Sequence, residues 1–420
     1  MPDIPSLLKK ERAHIWPPAT RGKDRDLYPP LMVYEAEGCY LQTHQGPLID
    51  AISSWWCKPL GHKHPAVISA IQTQLQKFEH VIAANTTHER LITLGEHIAR
   101  HTQLPYSFFA CDGSSAVEIA LKMAVHAQQI QGHTQKTGFI ALKNGYHGET
   151  LGALSVTDMP LYKSPYAACT LPCTFIDPHA PFEEALLLLE PIATTTAACI
   201  FEPLIQGSNG MHPYPIAFLE KLIHWAQQQG IYCIADEIMT GLCRLGQWLA
   251  CDSLSLKPDM ICLSKGLCAG ALPMSCVSLS GTLYNLFHED HPSIPAFLHS
   301  HTQSANALAV AAAVTTLEIM EQENFCNKAQ HLGDQMYQRF KSIAERGQHL
   351  HHIRQLGAIV AGDLPCATDG LRLAQEAAKR GALLRPMGNT LYWFPPLIMD
   401  INTLDKLAKI TEDTLIALYG

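Results

Sequence analysis

Short apolar runs alternate with longer helical patterns through the middle of this 420-residue chain. The apolar runs predict strands at 107–110, 139–142, 198–201, 231–235, 260–263 and 274–279. Helical spacing of apolar residues predicts helices at 115–131 and 216–229. Because strands that alternate with helices form mainly parallel sheets covered on both faces, the sequence predicts an α/β fold.

We place the predicted α/β part in a large domain at residues 60–300. A helical pattern at about 305–323 predicts a connecting helix within 301–327. The pattern of helix, strands and helix over 328–420 predicts a smaller α+β domain. Residues 1–60 are rich in proline, and we expect an irregular segment that packs with the small domain.

Composition and charge argue against several classes of function. Charged residues make up only 16% of the chain, the formal net charge is −8, and no Lys/Arg-rich run occurs, so we expect no nucleic-acid partner. We also expect no membrane partner, because no apolar stretch is long enough to span a bilayer and residues 1–20 lack the apolar core of a signal peptide. The 14 cysteines are scattered without a CxxC pair, which indicates buried thiols in a reducing compartment, the cytoplasm.

Two predicted strands are followed by side chains suited to cofactor chemistry. Asp236 follows the strand at 231–235, and Lys265 lies two residues beyond the strand at 260–263. Ligands bind at the carboxyl ends of strands in such sheets, so both side chains can reach one crevice. A carboxylate there binds a protonated ring nitrogen or a metal ion, and a desolvated lysine becomes a Schiff-base nucleophile. A capping carboxylate and a solvated loop lysine are the structural alternatives.

Two turns add a phosphate-binding and an aromatic candidate. Gly113 and Ser114 lie where a predicted strand meets a helix, and free amides at a helix N-terminus bind phosphate. Ser115 and Glu118 have the spacing of a capping box, the structural alternative for this turn. Tyr146, in the turn GYHG, can stack on a flat ring or lie in a plain surface turn. Together these groups are what pyridoxal 5′-phosphate (PLP) requires.

Seven motifs carry a family resemblance. The chain resembles the class III, fold-type I aminotransferases along nearly its whole length, in HIWPP at 14–18, DAISSWW at 50–56, GYHG at 145–148, FEPLIQG at 201–207, ADEIMTG at 235–241, SKG at 264–266 and LRP at 384–386. HIWPP and SSWW together are typical of members that convert 8-amino-7-oxononanoate to 7,8-diaminononanoate in biotin biosynthesis, with S-adenosylmethionine as amino donor. The resemblance implies PLP as cofactor, a seven-stranded sheet and a homodimer with shared active sites.

The resemblance also implies roles for individual residues. It implies that Lys265 bonds the cofactor, that Asp236 pairs with the ring nitrogen and that Tyr146 stacks on the ring. Implied phosphate contacts are Gly113 and Ser114 of one subunit and, across the subunit interface, His301 and Thr302. Implied substrate contacts are Trp55, Tyr146, Lys265, Ser300, Arg385 and position 19, where the family usually has tyrosine and this chain has Ala19.

Four departures from the family pattern lie near the expected position of the amino donor: Ala19 for tyrosine, Glu149 for aspartate, Ser300 and His301 for Gly-Pro, and Ala84 and Asn85 for paired glycines. They leave the donor open between S-adenosylmethionine and lysine. A general class III ω-aminotransferase is a further alternative, against which SSWW argues. A non-catalytic cofactor-binding module is another, against which the intact Lys265 and Asp236 argue.

The sequence offers no strong metal-binding pattern. The histidines at 62 and 64 and at 349, 351 and 352 are typical of polar surface loops. We therefore predict no metal.

Overall fold

The structure is a computed structural model that describes residues 3–288, 294, 296–347, 349–366 and 370–420. The strands of the described residues are β1 (Val33–Glu37), β2 (Tyr40–Thr43), β3 (Gly46–Asp50), β4 (Tyr106–Ala110), β5 (Gly138–Leu142), β6 (Cys173–Ile176), β7 (Thr196–Phe201), β8 (Ile205–Gln206), β9 (His212–Pro213), β10 (Tyr232–Asp236), β11 (Met260–Leu263), β12 (Ser275–Leu279), β13 (His351–Leu356), β14 (Ile359–Asp363), β15 (Ala382–Leu383) and β16 (Thr390–Trp393).

The helices of the same residues are α1 (Ile4–His14), α2 (Asp24–Leu27), α3 (Ser53–Trp56), α4 (Pro65–Leu75), α5 (Glu89–Thr102), α6 (Gly113–Ile130), α7 (Leu151–Ser155), α8 (Pro160–Lys163), α9 (Phe182–Leu189), α10 (Ile216–Gln228), α11 (Gly281–Leu286), α12 (Ala307–Gln322), α13 (Phe325–Gly347), α14 (Gly370–Arg380) and α15 (Ile401–Tyr419). Short 3₁₀ turns occupy Ser164–Cys169, Glu190–Ile192, Ala250–Ser253 and Lys265–Cys268.

A seven-stranded sheet in the order β4-β12-β11-β10-β7-β5-β6 forms the centre of the molecule. Strands β11, β10, β7, β5 and β6 run parallel, whereas β12 runs antiparallel to both β11 and β4. The predicted α/β fold with a mainly parallel sheet is confirmed. The edge strand β6 was not predicted, because its run is only four residues long and only partly buried.

Alternation of side chains along the central strands builds a core on each face of this sheet. Ile200 and Ile234 pack in a cluster with apolar residues of α6. Their neighbours Cys199 and Cys233 point to the opposite face and pack with apolar residues of α10. Because both faces are covered, the central strands are apolar throughout, which is the signal that made them predictable.

Two smaller sheets are built from the ends of the chain. Strands β1, β2 and β3 are joined by β15 from the C-terminal part, which pairs in parallel with β3. Strands β13, β14 and β16 form an antiparallel sheet. The expectation that residues 1–60 are irregular was wrong: they contain helices and an antiparallel meander, since most of the prolines that suggested irregularity lie between these elements.

In the part of the chain that the structure describes, no helix combines the length and the apolar character needed to cross a membrane.

Candidate active site

A cavity of about 200 Å³ opens at the carboxyl ends of the parallel strands. Five predicted residues line it together: Gly113, Ser114, Tyr146, Asp236 and Lys265. Asp236 ends β10 and is paired in register with Cys262 of β11. Lys265 follows β11 by two residues, so the pairing of these two strands places both side chains at one edge of the sheet.

Lys265 has the environment expected of a reactive amine. Its Nζ lies 4.9 Å from the ring centroid of Trp56. Burial lowers the pKa of Lys265, while the negative charges of Asp236 and Glu202 oppose this shift. Its backbone φ is +34°, an uncommon conformation for a residue other than glycine. Such strain is concentrated at functional sites, where the surrounding structure enforces it.

Asp236 is held rigidly at the floor of the cavity. Its side chain is buried, and its Oδ1 accepts a hydrogen bond from the Ile238 N–H at 3.1 Å. Its Oδ2 lies 2.8 Å from Nδ1 of the buried His147. The Nε2 of His147 is buried without a hydrogen-bond partner among the described residues. An orphaned polar atom of this kind is expected where a bound group completes the site.

Glu202 is a buried cavity residue to which the sequence reasoning assigned no role, although it lies in the FEPLIQG motif. Its Oε2 accepts from the Tyr146 N–H and its Oε1 from the Gly207 N–H, both at 3.0 Å. Burial raises the pKa of Glu202 to about 7, although His147 and the Tyr146 N–H lower it, and Asp236 raises it further. Glu202 therefore fixes the backbone that carries Tyr146.

We expect the stability contributed by Glu202 to fall as the pH rises from 4.5 to about 7. The folded carboxyl keeps its proton up to about pH 7, whereas the unfolded chain releases it near 4.5, so the gain present at low pH is lost across this window. Relative to Glu202→Gln, which does not titrate, the change is on the order of 3 kcal/mol. Urea unfolding of the cofactor-free proteins between about pH 5 and pH 8 measures it, and a pH-independent difference between the two proteins contradicts it.

The N-terminus of α6 forms a backbone cradle against the turn at 145–148. Asp112 caps this helix, its Oδ1 accepting from the Ser115 N–H at 2.9 Å. The capping box that was the structural alternative for this turn does not form, because Glu118 instead accepts from the Gly152 N–H at 2.7 Å at the start of α7. Gly148 lies against Ser114 with a φ of +126°, and a Cβ there would overlap Ser114 Oγ.

The residues present fit PLP. The first turn of α6 offers N–H groups at the positive end of an 18-residue helix, which suits a phosphate. The buried carboxylate of Asp236 suits a protonated ring nitrogen, and Lys265 supplies the amine. Each of these groups lines the same cavity.

Gly148→Ala is expected to weaken PLP binding at least about tenfold, roughly 1.4 kcal/mol. The added methyl group forces Ser114 away from Gly148 and imposes strain at a positive φ. Equilibrium dialysis with absorbance detection measures the affinity. Gly132→Ala is the matched control: it also has a positive φ, +83°, but has open space around its Cα. An unchanged affinity in Gly148→Ala contradicts the cradle.

The surroundings of Glu149 and Asn85 show how two departures from the family pattern are accommodated. The Tyr146 hydroxyl donates to Oε1 of Glu149 at 2.9 Å, and burial, aided by Glu149, raises the pKa of Tyr146. Glu149 therefore holds the hydroxyl of Tyr146, a residue that lines the cavity. Asn85 has a φ of +64°, the left-handed conformation that asparagine tolerates better than most residues. The backbone here keeps a conformation typical of glycine although the glycine is absent.

The two adjacent tryptophans point to different places. Residues 53–56 form a left-handed turn, with φ of +50°, +46°, +73° and +74°. Trp56 lines the Lys265 cavity, a contact that the sequence did not predict. Trp55 is 44% exposed and lies outside it, with the Arg385 guanidinium 4.5 Å from its ring centroid. Arg385 and Ala19 line a second cavity of about 670 Å³.

A stack of rings joins the Lys265 cavity to a buried arginine. Trp56 stacks on Phe394 with ring centroids 5.6 Å apart. The Arg244 guanidinium lies 3.9 Å from the ring centroid of Phe394 and donates to the Pro395 carbonyl at 2.9 Å. Trp56 is also held by its Nε1–H, which donates to the Tyr392 hydroxyl at 3.2 Å. These contacts fix the ring that borders Lys265.

Ser300, His301 and Thr302 lie outside the Lys265 cavity of their own chain. Ser300 and Thr302 are exposed, and His301 Nε2 lies 3.2 Å from Nε2 of His299. This exposed segment is where the sequence predicts contacts to a second subunit. Those contacts stay a prediction.

Comparisons with known proteins identify the family of this chain. The family described as Aminotransferase class-III matches residues 22–415. The adenosylmethionine-8-amino-7-oxononanoate aminotransferases of Helicobacter pylori and Synechococcus elongatus are each 35% identical to this chain, covering 96% of it and 95% and 98% of their own lengths. A crystal structure of the enzyme with that name from Methanocaldococcus jannaschii has a TM-score of 0.94 and 30% identity and covers 99% of both chains. With this match over nearly its whole length, the chain belongs to the class III aminotransferases, which are PLP-dependent enzymes.

Proposed function

We propose that this enzyme transfers an amino group to 8-amino-7-oxononanoate, giving 7,8-diaminononanoate for biotin biosynthesis. S-Adenosylmethionine is the proposed donor, with lysine as the alternative. The observation that carries the proposal is the cavity that unites Lys265, Asp236 and the α6 cradle, in a chain whose similar relatives bear that enzyme's name. The SSWW turn, which borders this cavity through Trp56, supports the choice of acceptor.

The proposed roles follow from the position of each group. Bound PLP supplies an electron sink that stabilises negative charge on the carbon that loses its proton. Lys265, with its lowered pKa, bonds the cofactor and moves the proton from the carbon that loses it to the carbon that gains it. Asp236 keeps the ring nitrogen protonated, and the N–H groups of Gly113 and Ser114 bind the phosphate. Tyr146 covers the ring.

Substrate contacts are proposed for the residues around the second cavity. Arg385 offers a guanidinium to a substrate carboxylate, a pairing that is commonly bidentate. Trp55 lies under this guanidinium, and Ala19 lines the same cavity without the tyrosine usual in the family. Ser300 is proposed to contribute a backbone contact. The small side chain at position 19 widens the space available to a donor.

The assembly and location belong to the same proposal. We propose a homodimer in which His301 and Thr302 of each subunit reach the cofactor phosphate of the other. The division into a segment at 1–60, a large domain at 60–300, a connecting helix at 301–327 and a small domain at 328–420 is supported by the pairing of β3 with β15. A cytoplasmic location without a nucleic-acid partner is supported by the net charge of −8 and the free cysteines.

Turnover with 8-amino-7-oxononanoate and each candidate donor tests this function. Product identified as 7,8-diaminononanoate by mass spectrometry supports it, and the donor that gives the higher kcat/KM identifies the second substrate. The reverse substitution Ala19→Tyr is the matched variant: if position 19 faces the donor, it changes the KM for the donor more than the KM for the acceptor. Amino transfer only to simple aldehydes or keto acids would assign a general ω-aminotransferase instead.

A further inference from the structure

Helices α5 and α12 bring together three metal-ligating side chains that the amino-transfer site does not use. His97 and His101 lie one turn apart on α5, and Glu321 lies on α12. Glu321 Oε1 is 3.0 Å from His97 Nδ1 and 2.6 Å from His101 Nε2. The three ligand atoms lie within 4.8 Å of one another, and none of these residues lines the Lys265 cavity. We propose that they form a binding site for one Zn²⁺ ion per chain.

The two helices hold this cluster in a defined geometry. Leu94 and Ile98 of α5 share a core cluster with Leu317 and Met320 of α12, which fixes the spacing of the helices. The His101 ring also stacks on Trp248, with centroids 3.6 Å apart and planes 21° from parallel. A site whose ligands are already oriented loses less entropy when it binds an ion.

The set of ligands suits zinc better than magnesium or calcium. Two imidazoles and one carboxylate are common Zn²⁺ ligands, whereas hard cations prefer oxygen alone. Bonds of about 2.0–2.1 Å in a tetrahedral site separate neighbouring ligand atoms by roughly 3.3 Å. The distance from His97 Nδ1 to Glu321 Oε1, 3.0 Å, is near this value, whereas His101 Nε2, at 2.6 Å, has to move outward when an ion binds. The fourth position would be open to water.

Arg100 is the competing cation in the metal-free protein. Its Nη1 lies 3.2 Å from Glu321 Oε1, while 60% of its side chain is exposed to solvent. Because most of the Arg100 side chain lies in solvent, it can turn away from Glu321 when an ion enters. Zinc and Arg100 therefore compete for one carboxylate, and removal of Arg100 should tighten zinc binding. If the cluster only joined the two helices, there would be no reason for Arg100→Gln to tighten zinc binding.

This proposal departs from the prediction of no metal, which followed from histidines that lie close together in sequence. The cluster combines two histidines of α5 with Glu321, which is more than 200 positions away. Another group could also capture zinc, because the Sγ atoms of Cys243 and Cys326 lie only 2.8 Å apart. Cys326→Ser removes that pair. His352→Gln is the control for an exposed histidine near a carboxylate, since its Nδ1 lies 3.1 Å from Asp363.

Calorimetric titration of the untagged, chelator-treated holoenzyme with Zn²⁺ tests the site. The expected result is one ion per chain, at least tenfold weaker affinity in both His101→Gln and Glu321→Gln, tighter binding in Arg100→Gln, and unchanged binding in Cys326→Ser and His352→Gln. Zinc should also raise the Tm of the wild type but not of Glu321→Gln. No saturable binding up to about 100 μM, or unchanged affinity in both ligand variants, overturns the proposal. These readouts do not depend on the amino acceptor.

Discussion

Lys265→Ala is expected to reduce amino transfer by about 10³-fold or more while the protein stays folded. Among the described residues that line the cavity, Lys265 carries the one amine, so no neighbour can bond the cofactor in its place. The absorption spectrum of the bound cofactor and steady-state turnover measure the two roles together. We expect the variant to retain cofactor through the α6 cradle, with an altered spectrum.

Lys136→Ala is the matched control for this variant. Lys136 is also buried, and its Nζ donates to the carbonyls of Gln229 and Gly230 at 2.7 and 3.0 Å, just before the start of β10, whereas Asp236 of the cavity lies at the end of that strand. Its loss should lower the free energy of unfolding by about 1–3 kcal/mol and leave the cofactor spectrum unchanged. Turnover by Lys265→Ala within about tenfold of the wild type would disprove the assigned role.

Asp236→Asn is expected to lower kcat by about 10³-fold with a smaller effect on the KM values. The amide retains an oxygen that can accept from His147 but lacks the negative charge that keeps the ring nitrogen of PLP protonated. Rapid-kinetic measurement of each half-reaction would locate the loss in the proton-transfer step. The cofactor should still bind, because its phosphate contacts are unchanged.

Asp259→Asn separates this charge effect from general damage to the sheet. Asp259 precedes β11, and its Oδ2 accepts from the Cys233 N–H at 2.8 Å, at the end of the strands opposite the cavity. This control should lose stability and retain its kcat. Equal losses of kcat in Asp236→Asn and Asp259→Asn would show that Asp236 has no special role at the cofactor.

The sequence predicted the part of the site that follows buried strands. Asp236 and Lys265 were placed correctly at one edge because the apolar runs before them are unambiguous and parallel strands align their carboxyl ends. Gly113 and Ser114 were found for the same reason, at the junction of β4 and α6. The strands that escaped prediction include β6 at the sheet edge and β1 in the N-terminal segment, where burial is only partial.

Residues brought in by tertiary contacts could not be predicted in this way. His147 reaches Asp236 across 89 positions, and Glu202 reaches the Tyr146 backbone across 56. The left-handed backbone at 53–56 turns Trp56 rather than Trp55 toward Lys265, and no helical or strand periodicity predicts this direction. The proposed zinc site of His97, His101 and Glu321 depends in the same way on two helices packing together.

The acceptor half-reaction tests the central claim most directly. The enzyme is loaded with the cofactor in its amine form, pyridoxamine phosphate, and mixed with 8-amino-7-oxononanoate alone while the cofactor absorbance is recorded. We predict a rapid return to the spectrum of the PLP-loaded enzyme with one equivalent of 7,8-diaminononanoate, whichever donor the enzyme uses. No spectral change with this acceptor, together with a rapid change on addition of a simple keto acid, would contradict the proposed function.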